Sequence, residues 1–309
     1  MNVLSLFDGI SCGQIALNRA KIKYDNYFAS EIDKHTIKVT QHNYPNTIQL
    51  GDVCKVNTNS LPKIDLLIGG SPCQGFSFAG KQLNFIHPQS RLFFEFVRIK
   101  NALQKDNPEL LFLLENVKMK QQFQDIISDY IGVQPIEIDS KLVSAQSRKR
   151  LYWTNIPNIQ IPIDKNILLK DIIEYGNVDR DKSYCIDANY YKGGNLKQYF
   201  EKCRRQLVFI EEVKGAALRN QVTKDGIEPQ LNVRKDSKSN CIVPSYPQKL
   251  NGVVENKCYR PLTPVECERL QTIPDNYTSI LSNTQRYKVI GNGWTVDVIA
   301  HIFKNISND

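Results

Sequence analysis

The first 150 residues alternate short apolar runs with segments of helical spacing, and this alternation constrains the fold more than any other feature. Helical spacing covers residues 13–20, 34–42 and 92–103, and the apolar runs occupy residues 3–7, 27–30, 64–68 and 110–114. Strands that alternate with helices indicate a parallel sheet with helices on both faces. We therefore expect an α/β fold, a doubly wound, mostly parallel sheet of the Rossmann type.

This pattern stops near residue 157 and returns after residue 260. Residues 157–259 are rich in Asn, Lys, Asp and Tyr and contain several short turns, which predicts a second, smaller and irregular domain with few or short strands. The run from Thr263 to Glu266 has the form of a capping box with Pro264 at the first helical position. A turn is predicted at 291–293 and a helix over 294–303. The main domain should comprise residues 1–156 and 260–309.

Composition limits the class of protein. The 309 residues are 41% hydrophobic and 23% charged, as in an ordinary globular protein, and no apolar stretch approaches the ~20 residues of a membrane span. The N-terminal segment reaches Asp8 too early for a signal peptide, so we expect a cytoplasmic protein without a membrane partner. The net charge of +8 permits a polyanionic partner, and the eight cysteines lack metal-binding spacing, so no metal is expected.

The turn after the first strand suits a nucleotide-like ligand. Gly9 and Gly13 lie where a helix begins after that strand, but they miss the glycine spacing of dinucleotide sites, which favours a ligand without phosphates. Glu31 ends the second strand and is placed to accept hydrogen bonds from ribose hydroxyls. Asp52 is placed to accept one from an adenine amino group. An ordinary turn with surface acids explains the same residues.

A second set of chemically active residues follows the later strands. Cys73 lies three residues after the run at 64–70, Glu115 follows the run at 110–114, and Arg148 and Arg150 precede the apolar residues 151–153. A thiolate nucleophile, a carboxylic acid and two guanidinium groups are suited to covalent catalysis. The alternative interpretations are a structural thiol for Cys73, a capping acid for Glu115 and a solvated basic run for Arg148 and Arg150. Alternation along a strand would place Arg148 and Arg150 on one face.

At this point the sequence resembles the DNA (cytosine-5) methyltransferase family over most of residues 1–155 and 260–309. In family order, the matching segments are FDGISCG, the acid at 31, residues 51–53, GGSPCQGFS, SRLFFEFVRI at 90–99, residues 115–117, QSRKRLYW, RPLTPVECERLQTIPDNYT and VIGNGWTV. The resemblance implies a Rossmann-like methyltransferase fold, S-adenosylmethionine as cofactor and double-stranded DNA as partner. The variable segment 157–259 then corresponds to a target-recognition domain.

The resemblance also implies residue roles. Cys73 would be the nucleophile, Glu115 its acid partner, and Arg148 and Arg150 would contact the target base and backbone. The residues implied in cofactor binding are Phe7, Asp8, Gly9, Glu31, Ile32, Asp52, Val53, Pro72, Leu92, Asn292, Gly293 and Trp294. The candidates for DNA binding are Gln74, Ser77, Gln146, Arg204, Arg205, Arg234 and Lys235. Ser5 and Trp294 depart from many bacterial members and resemble the animal de novo subgroup.

Several alternatives stay open at this stage. A tRNA cytosine-5 methyltransferase would share the motifs and the chemistry with a different substrate. A nicotinamide-dependent oxidoreductase would share Gly9 and Glu31, and a non-catalytic DNA-binding relative would share the fold. For a DNA methyltransferase we expect a monomer that flips its target base, with a cognate restriction endonuclease as a candidate partner.

Overall fold

A central sheet of seven strands organises the part of the chain that the structure describes. The computed structural model describes residues 1–72, 92–223, 226–233 and 251–306. For those of these residues that lie between 211 and 257, it describes the backbone only. The strands are β1 (Asn2–Leu6), β2 (Asn26–Ser30), β3 (Ile48–Gln49), β4 (Leu66–Gly69), β5 (Leu111–Val117), β6 (Ile136–Asp139) and β7 (Lys149–Thr154). Their order is β3-β2-β1-β4-β5-β7-β6; β7 runs antiparallel to both β5 and β6, and the other pairs are parallel. This confirms the expected doubly wound α/β fold.

Helices cover both faces of this sheet. The described helices are α1 (Cys12–Ala20), α2 (Lys34–Asn43), α3 (Leu92–Asp106), α4 (Gln121–Ile131), α5 (Leu196–Lys202), α6 (Pro264–Leu270), α7 (Asn283–Asn292) and α8 (Val296–Phe303), of which α5 lies in the irregular segment after residue 157. The predicted helices near residues 13, 34 and 92 are confirmed, and Asp33 caps α2 by accepting a hydrogen bond from the His35 amide. None of the described helices combines the length and apolar character that crossing a membrane requires.

Alternation along β1 explains why a short apolar strand is buried on both sides. Val3 packs into the core beside α1 and α8, whereas Leu4 and Leu6 pack into a second core beside α3 and α4. All three side chains are 0% exposed. A strand with both faces covered is apolar at nearly every position, which is the pattern of a parallel sheet.

The register of the central strands decides which residues meet at the carboxyl edge. Leu6 pairs with Gly69, and Gly69 pairs with Leu114. The residues that follow these positions on β1, β4 and β5 are Phe7, Gly70 and Glu115, respectively. The parallel register therefore places three of the sequence motifs side by side. Ligands of open α/β sheets bind at this edge.

The segment after residue 157 differs in part from its prediction. Residues 157–206 contain short 3₁₀ helices and α5, in agreement with an irregular region. The expectation of few or short strands is wrong for residues 207–261, because β8 (Leu207–Thr223), β9 (Gly226–Val233) and β10 (Asn251–Pro261) form an antiparallel sheet in the order β10-β8-β9. These strands are rich in charged and polar residues, which hides the alternation on which a strand prediction depends.

The predicted turn at 291–293 is also wrong. Helix α7 continues to Asn292, and Gly293 follows its last turn with its amide bonded to the carbonyls of Val289 and Ile290. Gly291 is helical, and a Cβ there would lie 2.3 Å from the carbonyl carbon and oxygen of Asp187. The glycine is therefore required by close contact between two segments rather than by a turn.

The capping box at the start of α6 is confirmed and yields a stability prediction. The Glu266 amide donates to Thr263 Oγ1 at 3.2 Å, and the Thr263 amide donates to the Glu266 carboxylate at 2.7 Å. We expect Thr263→Ala to lower the free energy of unfolding by about 1 kcal/mol, because the Glu266 amide loses its acceptor. Urea unfolding followed by circular dichroism measures this change.

Ser282→Ala is the matched control for this variant. Ser282 precedes α7 as Thr263 precedes α6, but its side chain makes no capping hydrogen bond. Its replacement should change the free energy of unfolding by no more than a few tenths of a kcal/mol. Equal losses in the two variants would contradict the assignment of a stabilising cap to Thr263.

Candidate active site

The loop after β1 is shaped by three residues in left-handed conformation. Phe7, Gly9 and Ser11 have φ values of 57°, 60° and 60°, respectively. No atom of the described residues lies within 4 Å of the position that a Cβ on Gly9 would occupy. Gly9 is therefore favoured because its left-handed backbone conformation costs other residues free energy, and not because a side chain would clash. The space beside it is open. The loop leaves room for a ligand at the carboxyl end of β1.

Glu31 ties this loop to the end of β2. Its Oε2 accepts a hydrogen bond from the Gly9 amide at 2.9 Å, and its Oε1 accepts from the amides of Ile32 and Asp33 at 2.7 and 2.8 Å. A carboxylate offers about four acceptor positions, so capacity remains for a ligand hydroxyl. Glu31 is thus both a structural anchor and available to a ribose.

Ile32 and Asp52 lie at the neighbouring strand ends. The Ile32 side chain is 76% exposed, which is unusual for a large aliphatic group beside a carboxylate. Asp52 caps a short 3₁₀ helix by accepting from the Cys54 amide, and Val53 is buried beneath it. Ser30 Oγ donates to the Gly51 carbonyl and holds the two segments together. An exposed aliphatic side chain next to polar acceptors fits a purine ring.

Asp8 carries an incompletely satisfied carboxyl group in the same loop. Its Oδ1 accepts from the Tyr27 hydroxyl at 2.8 Å, whereas Oδ2 is buried without a hydrogen-bond partner among the described residues. Burial raises the pKa of this carboxyl to about 6, against the lowering effect of the hydroxyls of Ser5, Tyr27 and Ser11. A ligand group with positive charge suits a loop with this uncompensated acid.

The end of α7 closes another side of the site. Gly293 is buried, Trp294 is partly exposed and Asn292 is exposed. A Cβ on Gly293 would lie 3.4 Å from Cys12 Sγ. Burial raises the pKa of the Cys12 thiol to about 12, so Cys12 stays protonated and is unsuited to act as a nucleophile.

Glu115 lies in a polar corner formed by three segments. Arg150 Nε on β7 is 3.1 Å from Glu115 Oε1, and both side chains are at most 15% exposed. A Cβ on Gly70 would lie 2.9 Å from Trp294 Nε1 and 3.2 Å from Glu115 Oε2. Gly70 therefore allows Trp294 and Glu115 to approach the end of β4 together. Gly70 is not among the site residues predicted from sequence, although its place between a strand and Cys73 is a usable signal.

Asn116 positions the chain that leads to Cys73. Its buried amide donates to Ser71 Oγ at 3.2 Å and to the Ser71 carbonyl at 3.4 Å. Pro72 is the last residue described before the gap and is partly buried, as is Leu92, the first residue after it. Cys73, Gln74 and Ser77 lie outside the described residues, so their predicted roles stay predictions.

Two sequence predictions near β7 need correction. Arg148 is 5% exposed, precedes β7 and donates its hydrogen bonds to Cys185 Sγ and to the carbonyls of Ile186, Gly291 and Gly293. Its guanidinium is committed to the protein, so the prediction that it contacts the target base or backbone is wrong. Gln146 is 0% exposed and bonded to Leu270, Gln271 and Ile186, so its prediction as a DNA contact is wrong for the same reason.

The other DNA-binding candidates differ in availability. Arg204 forms an exposed ion pair with Asp187 at 3.1 Å, and its side chain is 46% exposed. Arg205 is partly buried and donates to the Gly193 carbonyl and to Gln198. Arg234 and Lys235 lie outside the described residues. Of the described pair, Arg204 is better placed to meet a phosphate.

The Asp8 carboxyl predicts an unusual dependence of stability on pH. A folded-state pKa above the unfolded value means that the folded protein binds the proton more tightly, so wild-type stability should fall as pH rises from about 4 to about 6. Asp8→Asn removes this loss, and above pH 6 it should raise the free energy of unfolding by up to about 3 kcal/mol. Urea unfolding at pH 4 to 8 measures the difference.

Asp25→Asn is the control for that experiment. Asp25 pairs with the N-terminal amine and is 79% exposed, so its replacement should change stability by no more than about 1 kcal/mol. A stability difference between wild type and Asp8→Asn that does not grow between pH 4 and 6 would contradict the burial of an ionised Asp8.

Comparisons with known proteins agree with this geometry. The family model described as C-5 cytosine-specific DNA methylase matches residues 1–308. The chain is 30% identical to the type II methyltransferase M1.ScrFI of Lactococcus lactis subsp. cremoris over 320 residues, which cover 96% of this chain and 75% of that protein. It is 30% identical to the orphan methyltransferase M.Rho11sI of Bacillus phage rho11s over 247 residues, 72% of this chain and 48% of that protein.

A solved structure shows the same fold. The methyltransferase EhMeth of Entamoeba histolytica superposes with a TM-score of 0.65 at 16% identity, and the match covers 100% of this chain and 99% of EhMeth. Membership in a methylase family sets aside the oxidoreductase interpretation. With a match over nearly its whole length, the chain belongs to the C-5 cytosine-specific DNA methylase family.

Proposed function

We propose that this protein transfers a methyl group from S-adenosylmethionine to C5 of a cytosine that is flipped out of double-stranded DNA. The observation that carries the proposal is the corner in which Glu115, paired with Arg150, lies beside Gly70 at the start of the segment that leads to Cys73. The loop around Gly9, Glu31, Ile32 and Asp52 forms an adjacent cradle at the same sheet edge. S-adenosylmethionine, when bound there, supplies an electrophilic methyl group.

C5 of cytosine is a poor nucleophile and must be activated before it can take up a methyl group. Cys73 is the proposed nucleophile that activates it by adding to C6. Addition of its thiolate to C6 forms a C–S bond and moves the electrons of the C5–C6 double bond onto C5. C5 would then use this electron pair to form a bond to the methyl group of the cofactor, while the methyl–sulfur bond breaks and S-adenosylhomocysteine leaves as a neutral thioether. Loss of the C5 proton returns its electron pair to the ring and expels the sulfur as a thiolate. The protein is unchanged at the end, and the product is 5-methylcytosine.

Glu115 is the proposed partner of the cytosine ring. A carboxyl group that protonates or hydrogen-bonds N3 stabilises the charge that thiolate addition places on the ring. Arg150 Nε, 3.1 Å from Glu115 Oε1, holds this carboxyl in place, and Asn116 on the same strand as Glu115 holds Ser71, which precedes Cys73 by two residues in the sequence. The base must leave the stack to reach this corner, at a cost of a few kcal/mol.

We propose that residues 157–259 form the recognition domain and that the enzyme is sequence-specific, like the type II methyltransferases to which it is similar. Arg204 would contact the DNA backbone, and Arg234 and Lys235 would add to that contact. We further propose that the protein is a monomer, that it is located in the cytoplasm and that it has a cognate restriction endonuclease. The relatives named type II methyltransferases support the proposal of a restriction endonuclease.

Base-resolution mapping of methylcytosine tests the function. DNA from a methylation-deficient bacterial host that expresses the chain should carry 5-methylcytosine in one short recurrent sequence. Cys73→Ser should abolish this mark because serine does not form a thiolate equivalent. Cys258→Ser, at an exposed position of β10, should retain it. Methylation confined to adenine or to the exocyclic nitrogen of cytosine, or to tRNA from the same cells, would contradict the proposal.

The Glu115 carboxyl has a separate kinetic test. Glu115→Gln should lower the single-turnover rate of methyl transfer by about 10²–10⁴-fold, because general acid assistance is lost. The affinity for S-adenosylhomocysteine should change by less than about twofold, since Glu115 is not among the residues of the cofactor cradle. Rapid-quench assays and calorimetry measure the two quantities. A variant with the wild-type rate would remove Glu115 from the mechanism.

A further inference from the structure

Arg148 joins two segments that are far apart in sequence. Its Nη1 donates to the Ile186 carbonyl at 2.9 Å and to Cys185 Sγ at 3.2 Å. Its Nη2 donates to the carbonyls of Gly293 at 3.0 Å and Gly291 at 3.4 Å. The first pair belongs to the proposed recognition domain, and the second pair lies at the end of α7 next to Trp294. One guanidinium therefore ties the recognition side to the cofactor side.

Two buried amides strengthen the same junction. Gln146 donates to Leu270 and Gln271 and accepts from the Ile186 amide, and all three contacts are buried. Gln271 donates to the carbonyls of Ile290 and Gly293 at 3.0 and 2.9 Å. The carbonyls at the end of α7 thus accept from Arg148, which also holds Ile186, and from Gln271, which is bonded to Gln146. Displacing either segment would leave buried polar groups unpaired, which is costly.

The recognition side of this junction reaches a candidate DNA contact. Asp187 follows Ile186, and its carboxylate pairs with Arg204 at 3.1 Å, with both side chains more than 40% exposed. The backbone of Asp187 also touches Gly291, where a Cβ would lie 2.3 Å from it. A phosphate at Arg204 would compete with Asp187 for the guanidinium. A continuous set of contacts therefore runs from Arg204 through 186–187 and Arg148 to Gly293.

We propose that Arg148 is a positioning residue that couples DNA binding at the recognition domain to closure of the methionine side of the cofactor site. This inference rests on the proposed function and concerns how its two binding sites communicate. Arg148 acts through the carbonyls of Ile186, Gly291 and Gly293 and does not touch the reacting atoms. Its planar fork bridges both segments at once, which the single ammonium of a lysine does not reproduce.

The test is a thermodynamic coupling measurement. The probes are S-adenosylhomocysteine and a duplex with the sequence found by methylcytosine mapping, and the measured quantity is the duplex Kd without and with S-adenosylhomocysteine. In the wild type the cofactor product should tighten duplex binding by about 5-fold or more, as is typical of coupled sites. In Arg148→Lys this factor should fall to within about twofold of one. By reciprocity, the duplex should tighten S-adenosylhomocysteine binding by the same factor.

Arg260→Lys is the matched control. Arg260 is also a largely buried arginine. Its Nη2 and Nη1 donate to the two carboxylate oxygens of Glu266 at 2.7 and 2.8 Å, and its guanidinium carbon lies 4.0 Å from the centroid of the Tyr175 ring. It joins the second sheet to α6 and makes no described hydrogen bond to the end of α7. Its replacement should retain the coupling factor even if it weakens duplex binding. Equal loss of coupling in both variants would show general loosening and would overturn the proposal.

Asp187→Asn covers the case in which Arg148→Lys does not fold. The Asp187 side chain is 43% exposed, and its Oδ1 accepts from the Asn189 amide at 2.8 Å. Asparagine keeps an acceptor for that amide but removes the charge that pairs with Arg204, while Arg148 stays intact. The coupling factor should again fall toward one. A wild type that transfers methyl groups without coupling overturns the inference and leaves the proposed function intact. So does retained coupling in Arg148→Lys or, where that variant does not fold, retained coupling in Asp187→Asn. Absence of methyl transfer by the wild type would instead overturn the proposed function.

Discussion

The parallel register of β1, β4 and β5 is the constraint on which the rest of this structure depends. Pairing of Leu6 with Gly69 and of Gly69 with Leu114 brings Phe7, Gly70 and Glu115 to one edge. A shift by one residue would turn Leu4 and Leu6 from one core to the other, so burial on both faces enforces the register. The same hydrophobic effect that stabilises the sheet thereby aligns the cofactor cradle with the proposed cytosine corner.

Buried polar contacts then convert this alignment into a site. Glu31 holds the Gly9 loop, Asn116 holds Ser71, and Arg150 holds Glu115. Each interaction satisfies a group that would be costly to leave unpaired, so the geometry is fixed by the same contacts that stabilise the fold. Asp8 is the exception. Its buried and partly unsatisfied carboxyl destabilises the folded state above pH 6, which is the kind of cost that binding sites retain when a ligand compensates for it.

The junction around Arg148 shows how a segment of irregular structure becomes part of the site. Residues 183–187 have no regular element of their own, yet Ile186 is held by Arg148 and Gln146 against the end of α7. Close contact of Gly291 with Asp187 leaves no room for a side chain between the two segments. The proposed recognition domain and the proposed cofactor site are therefore neighbours, and hydrogen bonds hold them together.

The sequence by itself determined the doubly wound fold and the helix beginnings at Asp33 and Thr263, because burial and capping leave local patterns. It also placed candidate site residues at the strand ends, and their roles stay predictions. It did not determine the roles of Arg148 and Gln146, which face inward because backbone carbonyls from distant segments need donors. It also did not reveal that Gly291 is helical or that β8, β9 and β10 are long strands, since close packing and cross-strand pairing involve residues far apart in the chain. Only the tertiary structure decides which polar groups form hydrogen bonds within the protein and which remain available to a ligand.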